Sequence, residues 1–269
     1  MKQITQMKLW ENNAPGYIEG EEIPVLNYYP AENKRGNGTV LIFAGGAYRL
    51  RAPHEGEGYA RYLNEIGLDA FVLDYRVKPY QFPYPLLDAR RAVRTIRARA
   101  EEFGIDPEKI AVMGSSAGGH LAALSSTYKE AIDGEGIDAL DELDCMPNAQ
   151  ILCYPVLDIQ GHFGSFVNLL GDRAGHNKKY TPTLIADSSA PPMFLWHTAS
   201  DGAVDVNGSF RYAMRLHELG IEMEMHIYPF GPHGLGLANV VERDRVEPYV
   251  QDWAMHLEKW LKHRKFINE

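Results

Sequence analysis

Cysteine is scarce: the 269 residues hold two, Cys145 and Cys153, and they form no CxxC pair. A disulfide scaffold is excluded, and the pair reads as reduced thiols in a cytosolic protein. Positive charge is also short, with 27 Lys and Arg against 36 Asp and Glu and a net charge of −9. Nucleic acid and anionic membranes both need a basic footprint, so neither is an expected partner. No apolar run approaches the 18 or so residues of a membrane span, and Met1 to Trp10 contains no apolar core of a secretory leader. The expected compartment is therefore cytoplasmic. Internal repeats, a GxxxxGK phosphate loop, a GxGxxG turn after a strand and an HExxH metal motif are all missing. No cofactor or metal is expected. Hydrophobic residues make up 45% of the chain, enough for a core that needs no staple.

What is present is organised around Ile110-Ala111-Val112-Met113-Gly114-Ser115-Ser116-Ala117-Gly118-Gly119-His120. A short apolar run ends in Gly-x-Ser-x-Gly, and small residues able to open a helix follow. That order, strand then sharp turn then helix, is a nucleophile elbow. A side chain two positions before or after the serine would collide in so tight a turn, so Gly114 and Gly118 carry none. The turn lifts the Ser116 hydroxyl above the sheet edge. It also places the Ala117 amide at a helix N-terminus, where it can face an anion.

Along the chain, Tyr17-Ile18 and Ile23 to Pro30 read as short edge strands, with Pro24 suited to an edge. Thr39 to Phe43, Leu68 to Leu73, Ile110 to Met113, Ile151 to Tyr154 and Pro192 to His197 are apolar runs of the kind buried on both faces. Glu222 to Tyr228 alternates as a strand near a sheet edge does. Helical spacing marks about Glu57 to Ile66, Pro85 to Phe103, Val206 to Leu219 and Glu242 to Phe266. The arginines Arg90, Arg91, Arg94, Arg97 and Arg99 read as a solvated helix face. Residues 128–148 read as an acidic surface excursion, and 155–182 as a patternless connection that shapes a pocket wall. Strands alternating with helices predict one α/β domain over residues 1–269, a mostly parallel sheet with helices on both faces. Active residues in such sheets lie beyond the carboxyl ends of the strands.

A serine hydroxyl needs a base, and the base needs an anion to orient it. His233, in Gly231-Pro232-His233-Gly234-Leu235-Gly236, follows the last strand and is the candidate base. His197 and His120 suit the role less well, as a packed strand-end residue and a residue on the elbow helix. Asp201, in the loop after the Trp196 strand, is the candidate acid, with Asp205 as runner-up. The order Ser116, Asp201, His233 is the one that this elbow geometry uses. An oxyanion hole needs two convergent amides. Ala117 offers one, and Gly45-Gly46-Ala47 after the Phe43 strand offers the other. Tyr48 follows this loop and is the candidate substrate-binding residue. Bulky Arg49, Leu50, Phe163 and Phe166 are further candidates for a short acyl pocket.

The segments Ala44-Gly45-Gly46-Ala47-Tyr48, Gly114 to Leu121, Trp196-His197-Thr198 with Asp201 and Val204, and Pro232 to Leu237 together resemble the α/β-hydrolase acetyl esterases. The nearest likeness is to the acetylxylan esterase-like branch, close to the hormone-sensitive-lipase relatives. The resemblance implies an α/β-hydrolase fold and cofactor-free hydrolysis of short acyl esters, often on sugars, with xylo-oligosaccharides among the candidates. It gives Ser116, Asp201 and His233 the triad roles and Gly46, Ala47 and Ala117 the oxyanion roles. Ala44 stands where lipase relatives carry His, Ala47 replaces a third glycine, and Asp205 stands where proline is frequent. Two other readings share the motifs: a serine peptidase of the prolyl-oligopeptidase type, and a hydrolase-fold binding protein without catalysis. Neither the alcohol part of the substrate nor the oligomeric state is written in the sequence.

Overall fold

The computed structural model describes residues 4–11, 14–240 and 245–268. Eight strands form one sheet: β1 Thr5–Lys8, β2 Val25–Tyr29, β3 Thr39–Phe43, β4 Asp69–Asp74, β5 Ile110–Ser115, β6 Ala149–Cys153, β7 Met193–Thr198 and β8 Met223–Tyr228. Their order across the sheet is β1-β2-β4-β3-β5-β6-β7-β8. β1 pairs antiparallel with β2 and β2 with β4; every other pairing is parallel. This is the arrangement expected of an α/β hydrolase.

The helices are α1 Glu57–Glu65, α2 Tyr84–Ala98, α3 Ala100–Phe103, α4 Ser116–Ser125, α5 Phe163–Leu170, α6 Pro182–Ile185, α7 Asn207–Glu218 and α8 Pro248–His263. Strand residues feed the two faces alternately, as a pleat requires. Leu41 and Phe43 enter a core with α2, α4, α5 and α7. Val40 and Ile42 enter a second core with α1 and α8. The tryptophans divide unevenly: Trp10 lies in the first core, whereas Trp196, Trp253 and Trp260 lie in the second.

Several expectations are corrected. Tyr17-Ile18 is not a strand; the edge partner of β2 is instead β1, with Thr5 opposite Tyr28. The Pro85–Phe103 helix starts at Tyr84 and breaks at Arg99, where backbone φ −105° and ψ 19° leave the helical region. The connection 155–182 is not structureless, since it holds α5. The last helix begins at Pro248; residues 242–244, where the sequence pattern starts it, lie outside the described residues.

The arginine row of α2 is also not a solvated face. Arg90, Arg91 and Arg94 are buried. Arg90 donates to Glu135 at 2.9 Å, Arg91 grips both oxygens of Asp138 at 2.6 Å, and Arg94 reaches Glu135 at 2.9 Å and Asp141 at 3.1 Å. The segment 128–148 is thus strapped to α2 by bidentate and shared ion pairs, whose fixed fork geometry arginine supplies.

Candidate active site

Four strand ends converge. β5 runs straight into α4, and Ser116 between them has φ +53°, a left-handed conformation that non-glycine residues resist. Added side-chain carbons at Gly114 and Gly118 would drive into the carbonyl oxygens of Gly118 and Phe43, far inside contact distance. The elbow is therefore possible only with glycine at both positions.

Ser116 Oγ lies 2.9 Å from His233 Nε2, and His233 Nδ1 lies 2.7 Å from Asp201 Oδ2. The carboxylate can only accept, so Nδ1 carries the proton and Nε2 accepts from the serine. The Asp201 side chain is 1% exposed and fully engaged. Its Oδ1 takes the amides of Ala203 at 2.8 Å and Val204 at 2.9 Å, and its Oδ2 takes a second imidazole, His197 Nε2, at 3.1 Å. His197 Nδ1 in turn accepts from Ser209 Oγ at 2.9 Å. Burial works to raise the Asp201 carboxyl, but the bonds from His197 and His233 outweigh it and hold it well below the ordinary carboxylate range. Asp205 does not reach His233. Its Oδ1 accepts from the Asn207 amide at 3.0 Å and closes the turn that opens α7.

After β3 the chain bends through three successive residues of positive φ: Gly46 at 136°, Ala47 at 54° and Tyr48 at 58°. Asn168 donates to the Ala47 carbonyl at 2.8 Å and holds this loop from α5. Ala117 is the second residue of α4, so its amide belongs to the first turn, which has no intrahelical acceptor. Gly46, Ala47, Leu50, His162, Ser116 and His233 share the wall of one cavity of about 300 Å³. A larger cavity of about 550 Å³ beside Tyr29 and Asn64 holds neither a serine nor a histidine.

Tyr48 is corrected. Its ring is buried in the core and its hydroxyl donates to His120 Nδ1 at 2.7 Å, so it cannot meet a substrate as a side chain. Positive φ at Ala47 and Tyr48 turns the chain inward at this point. His120 completes the packing by donating from Nε2 to the Tyr180 carbonyl at 2.8 Å, and burial pushes its pKa down to about 4. Phe163 points outward, 63% exposed, and Phe166 is buried against His120; neither lines the cavity.

Sequence reasoning misses Glu55. This carboxylate is 3% exposed and ties both halves of the site together. Its Oε2 accepts from the Gly45 amide at 2.8 Å, just before the Gly46–Ala47 turn. Its Oε1 accepts from Tyr154 Oη at 2.8 Å. Tyr154 Oη also accepts the Gly236 amide at 2.8 Å, and its ring stands edge-on to His233 at 5.1 Å. Next to it, His54 Nε2 donates to the Gly234 carbonyl at 3.0 Å. The one available signal is position: an acidic residue just ahead of the helix that follows the Gly45–Ala47 loop.

The BD-FAE family model matches residues 27–216. A solved acetyl ester–xyloside bifunctional hydrolase from Caldicellulosiruptor lactoaceticus superimposes with a TM-score of 0.89 at 38% identity, covering 98% of this chain and 97% of that one. Endo-1,4-beta-xylanase B of Butyrivibrio fibrisolvens is 31% identical over 86% of this chain. An acetylxylan esterase of Xylanibacter ruminicola is 28% identical, also over 86%. The chain spans only 38% and 46% of the length of those two relatives. The matched family segment covers most of the sheet and the serine elbow, and the chain belongs to the BD-FAE family of α/β-hydrolase proteins.

Proposed function

We propose that this chain is a serine carboxylesterase, a single hydrolase domain over residues 1–269 that removes short acyl groups, acetyl above all. The observation that carries the reading is the continuous hydrogen-bonded line Ser116–His233–Asp201 opening into a cavity walled by Gly46 and Ala47. Ser116 attacks the ester carbonyl and passes its proton to His233 Nε2. The negative charge gathering on the carbonyl oxygen is met by the amides of Ala47 or Gly46 and of Ala117. His233 returns the proton to the departing alcohol, leaving an acyl-serine. Water, deprotonated by the same imidazole, then releases the acid. Asp201 stays ionised throughout and stabilises the imidazolium.

Acetylated sugars or xylo-oligosaccharides are the proposed substrates. The names of the related acetylxylan esterase and the bifunctional hydrolase support this class, and a cavity of about 300 Å³ suits a small acyl group with a sugar at its mouth. No helix among the described residues is long and apolar enough to cross a membrane. The absence of a nucleic-acid partner remains part of this proposal, motivated by the −9 charge, as does a cytoplasmic location, motivated by two cysteines read as reduced thiols.

The test is kcat/KM along a nitrophenyl ester series from acetyl to octanoyl, with an aminoacyl amide beside it. Acetyl is expected fastest, with each added methylene costing about 1–3 kcal/mol of discrimination at most. A maximum at octanoyl would overturn the short-acyl reading. Faster cleavage of the amide would favour the peptidase. A serine-directed phosphonate that fails to label Ser116 would favour a binding protein without catalysis.

A further inference from the structure

Away from the cavity, the outer strand and the last helix bring three metal-ligating side chains together. In β8, Met223, Met225 and Ile227 face the first core, so Glu224, His226 and Tyr228 face the other side. On that side the neighbouring strand presents Phe194 and Trp196, paired in register with Glu224 and His226. α8 covers the same area with Trp253, Leu257 and Trp260, and it places His256 directly over His226, ring centroids 4.3 Å apart. A polar trio thus interrupts an aromatic strand–helix contact. Outer strands do keep polar residues to discourage pairing with other chains. That need does not require the facing helix to supply a histidine.

We propose that Glu224, His226 and His256 form a binding site for a divalent transition metal of the zinc type, which would fasten α8 to the outer strand of the sheet. The ligand atoms of the three residues lie within 4.8 Å of one another. Zinc–ligand bonds of about 2.0–2.2 Å need the donors roughly 3.3 Å apart, so closing the site takes side-chain shifts of up to about 1.5 Å, with the two stacked imidazoles turning out of parallel so that each aims a nitrogen at the ion. Glu224 Oε1 and His226 Nε2 are already 2.7 Å apart. One carboxylate and two imidazoles leave room for water as the remaining ligand, and borderline-soft Zn²⁺ suits that donor set better than Ca²⁺ or Mg²⁺. Both histidines must be neutral to ligate. Burial, and then the neighbouring His226 and Lys259, hold the His256 imidazole below its ordinary range, against the pull of Glu224 and Asp252. All three residues are half-buried, so the ion can enter from solvent.

The experiment uses untagged full-length protein stripped with a chelator, titrated with ZnCl₂ by calorimetry and with CoCl₂ by visible absorption. One equivalent per chain is expected, with the intense d–d bands of tetrahedral cobalt. Zinc at a hundredfold excess over Kd should raise Tm by about 5 °C. His256→Ala and Glu224→Gln should each weaken zinc at least about tenfold while ester turnover stays at the wild-type level, which shows that they fold. His233→Ala should bind as wild type does. Zinc that binds all these variants alike, that is lost only in His233→Ala, or that never saturates at one equivalent overturns the site.

Discussion

His197 and His233 meet on a single oxygen of Asp201, at 3.1 Å and 2.7 Å. The carboxylate is therefore bonded from behind as well as from the front, with Ser209 and Ser116 at the two ends of the line. Removing the rear imidazole leaves the charge in place but loosens its aim. His197→Gln is expected to lower kcat by up to about 10²-fold with KM little changed. Asp201→Asn should cost about 10⁴-fold, because the imidazole loses its tautomer. Asp205→Asn should leave turnover and stability near wild type, because an asparagine oxygen can still accept the Asn207 amide. Steady-state kinetics with denaturant unfolding of the three variants checks the ranking, and a greater loss in Asp205→Asn than in Asp201→Asn would move the acid.

Ser116 joins the proposed nucleophile and a strained backbone in one residue. Ser116→Ala is expected to lose at least about 10³-fold in ester turnover. It keeps the left-handed φ of +53° and so relieves nothing. Ser116→Gly should be equally inactive yet more stable than Ser116→Ala by about 1 kcal/mol, since glycine accepts that backbone without cost. Equal unfolding free energies for the two variants would show that the elbow stores no strain.

Glu55 is expected to act as a positioning residue. It holds the Gly45 amide on one side and, through Tyr154, the Gly236 amide on the other. Glu55→Ala should lower stability, as burial of unpartnered amide and hydroxyl groups does. Glu55→Gln keeps the volume and is the cleaner probe. A misplacement of the oxyanion loop by even 1 Å can cost about 10²-fold, so its kcat should fall by about that factor while KM moves little. Phosphonate labelling of Ser116, which also develops charge in the oxyanion hole, should slow in parallel. An unchanged labelling rate would confine Glu55 to a structural role.

His120 predicts a pH dependence of stability. Its pKa falls from 6.5 to about 4 on folding, because burial disfavours the imidazolium. A depressed histidine contributes stability that is fully present above the unfolded value and is lost as pH falls toward the folded one. Between pH 6.5 and 4 the loss amounts to about 3 kcal/mol. His120→Gln should be less stable than wild type at pH 8, and the gap should narrow as pH falls to 4. Urea unfolding across that range measures it. A constant gap would contradict the assignment.

Much of the sheet is legible in the sequence because β3, β4, β5, β6 and β7 are buried on both faces and so read as uninterrupted apolar runs. β1 is not legible. Thr5, Gln6 and Lys8 are exposed at the sheet edge, so β1 shows no apolar run, and its pairing with β2 rests on the backbone ladder and a polar Gln6–Asn27 contact that spacing does not reveal. Ser116, Asp201 and His233 stand out because the elbow demands glycines and because loops after strand ends are few. Glu55 and His197 are hidden for the opposite reason, since each works through partners far along the chain or through packing. The arginines of α2 mislead in the same way: spacing alone cannot separate water from Glu135 and Asp138, which lie 45 and 47 residues downstream of Arg90 and Arg91.

The uneven division of the tryptophans gives this molecule two separate optical reporters. Trp196 stacks on Trp253 at 5.0 Å, and with Trp260 they emit from the face that α8 covers. Trp10 sits alone on the opposite face, its ring under the Arg91 guanidinium at 4.8 Å and its indole N–H on Asp88 at 3.2 Å. A Trp10→Phe protein would therefore report on α8 alone, and its difference from wild type would report on the arginine-strapped face. Comparing the two unfolding curves asks whether both faces of the sheet melt together or whether one lets go first.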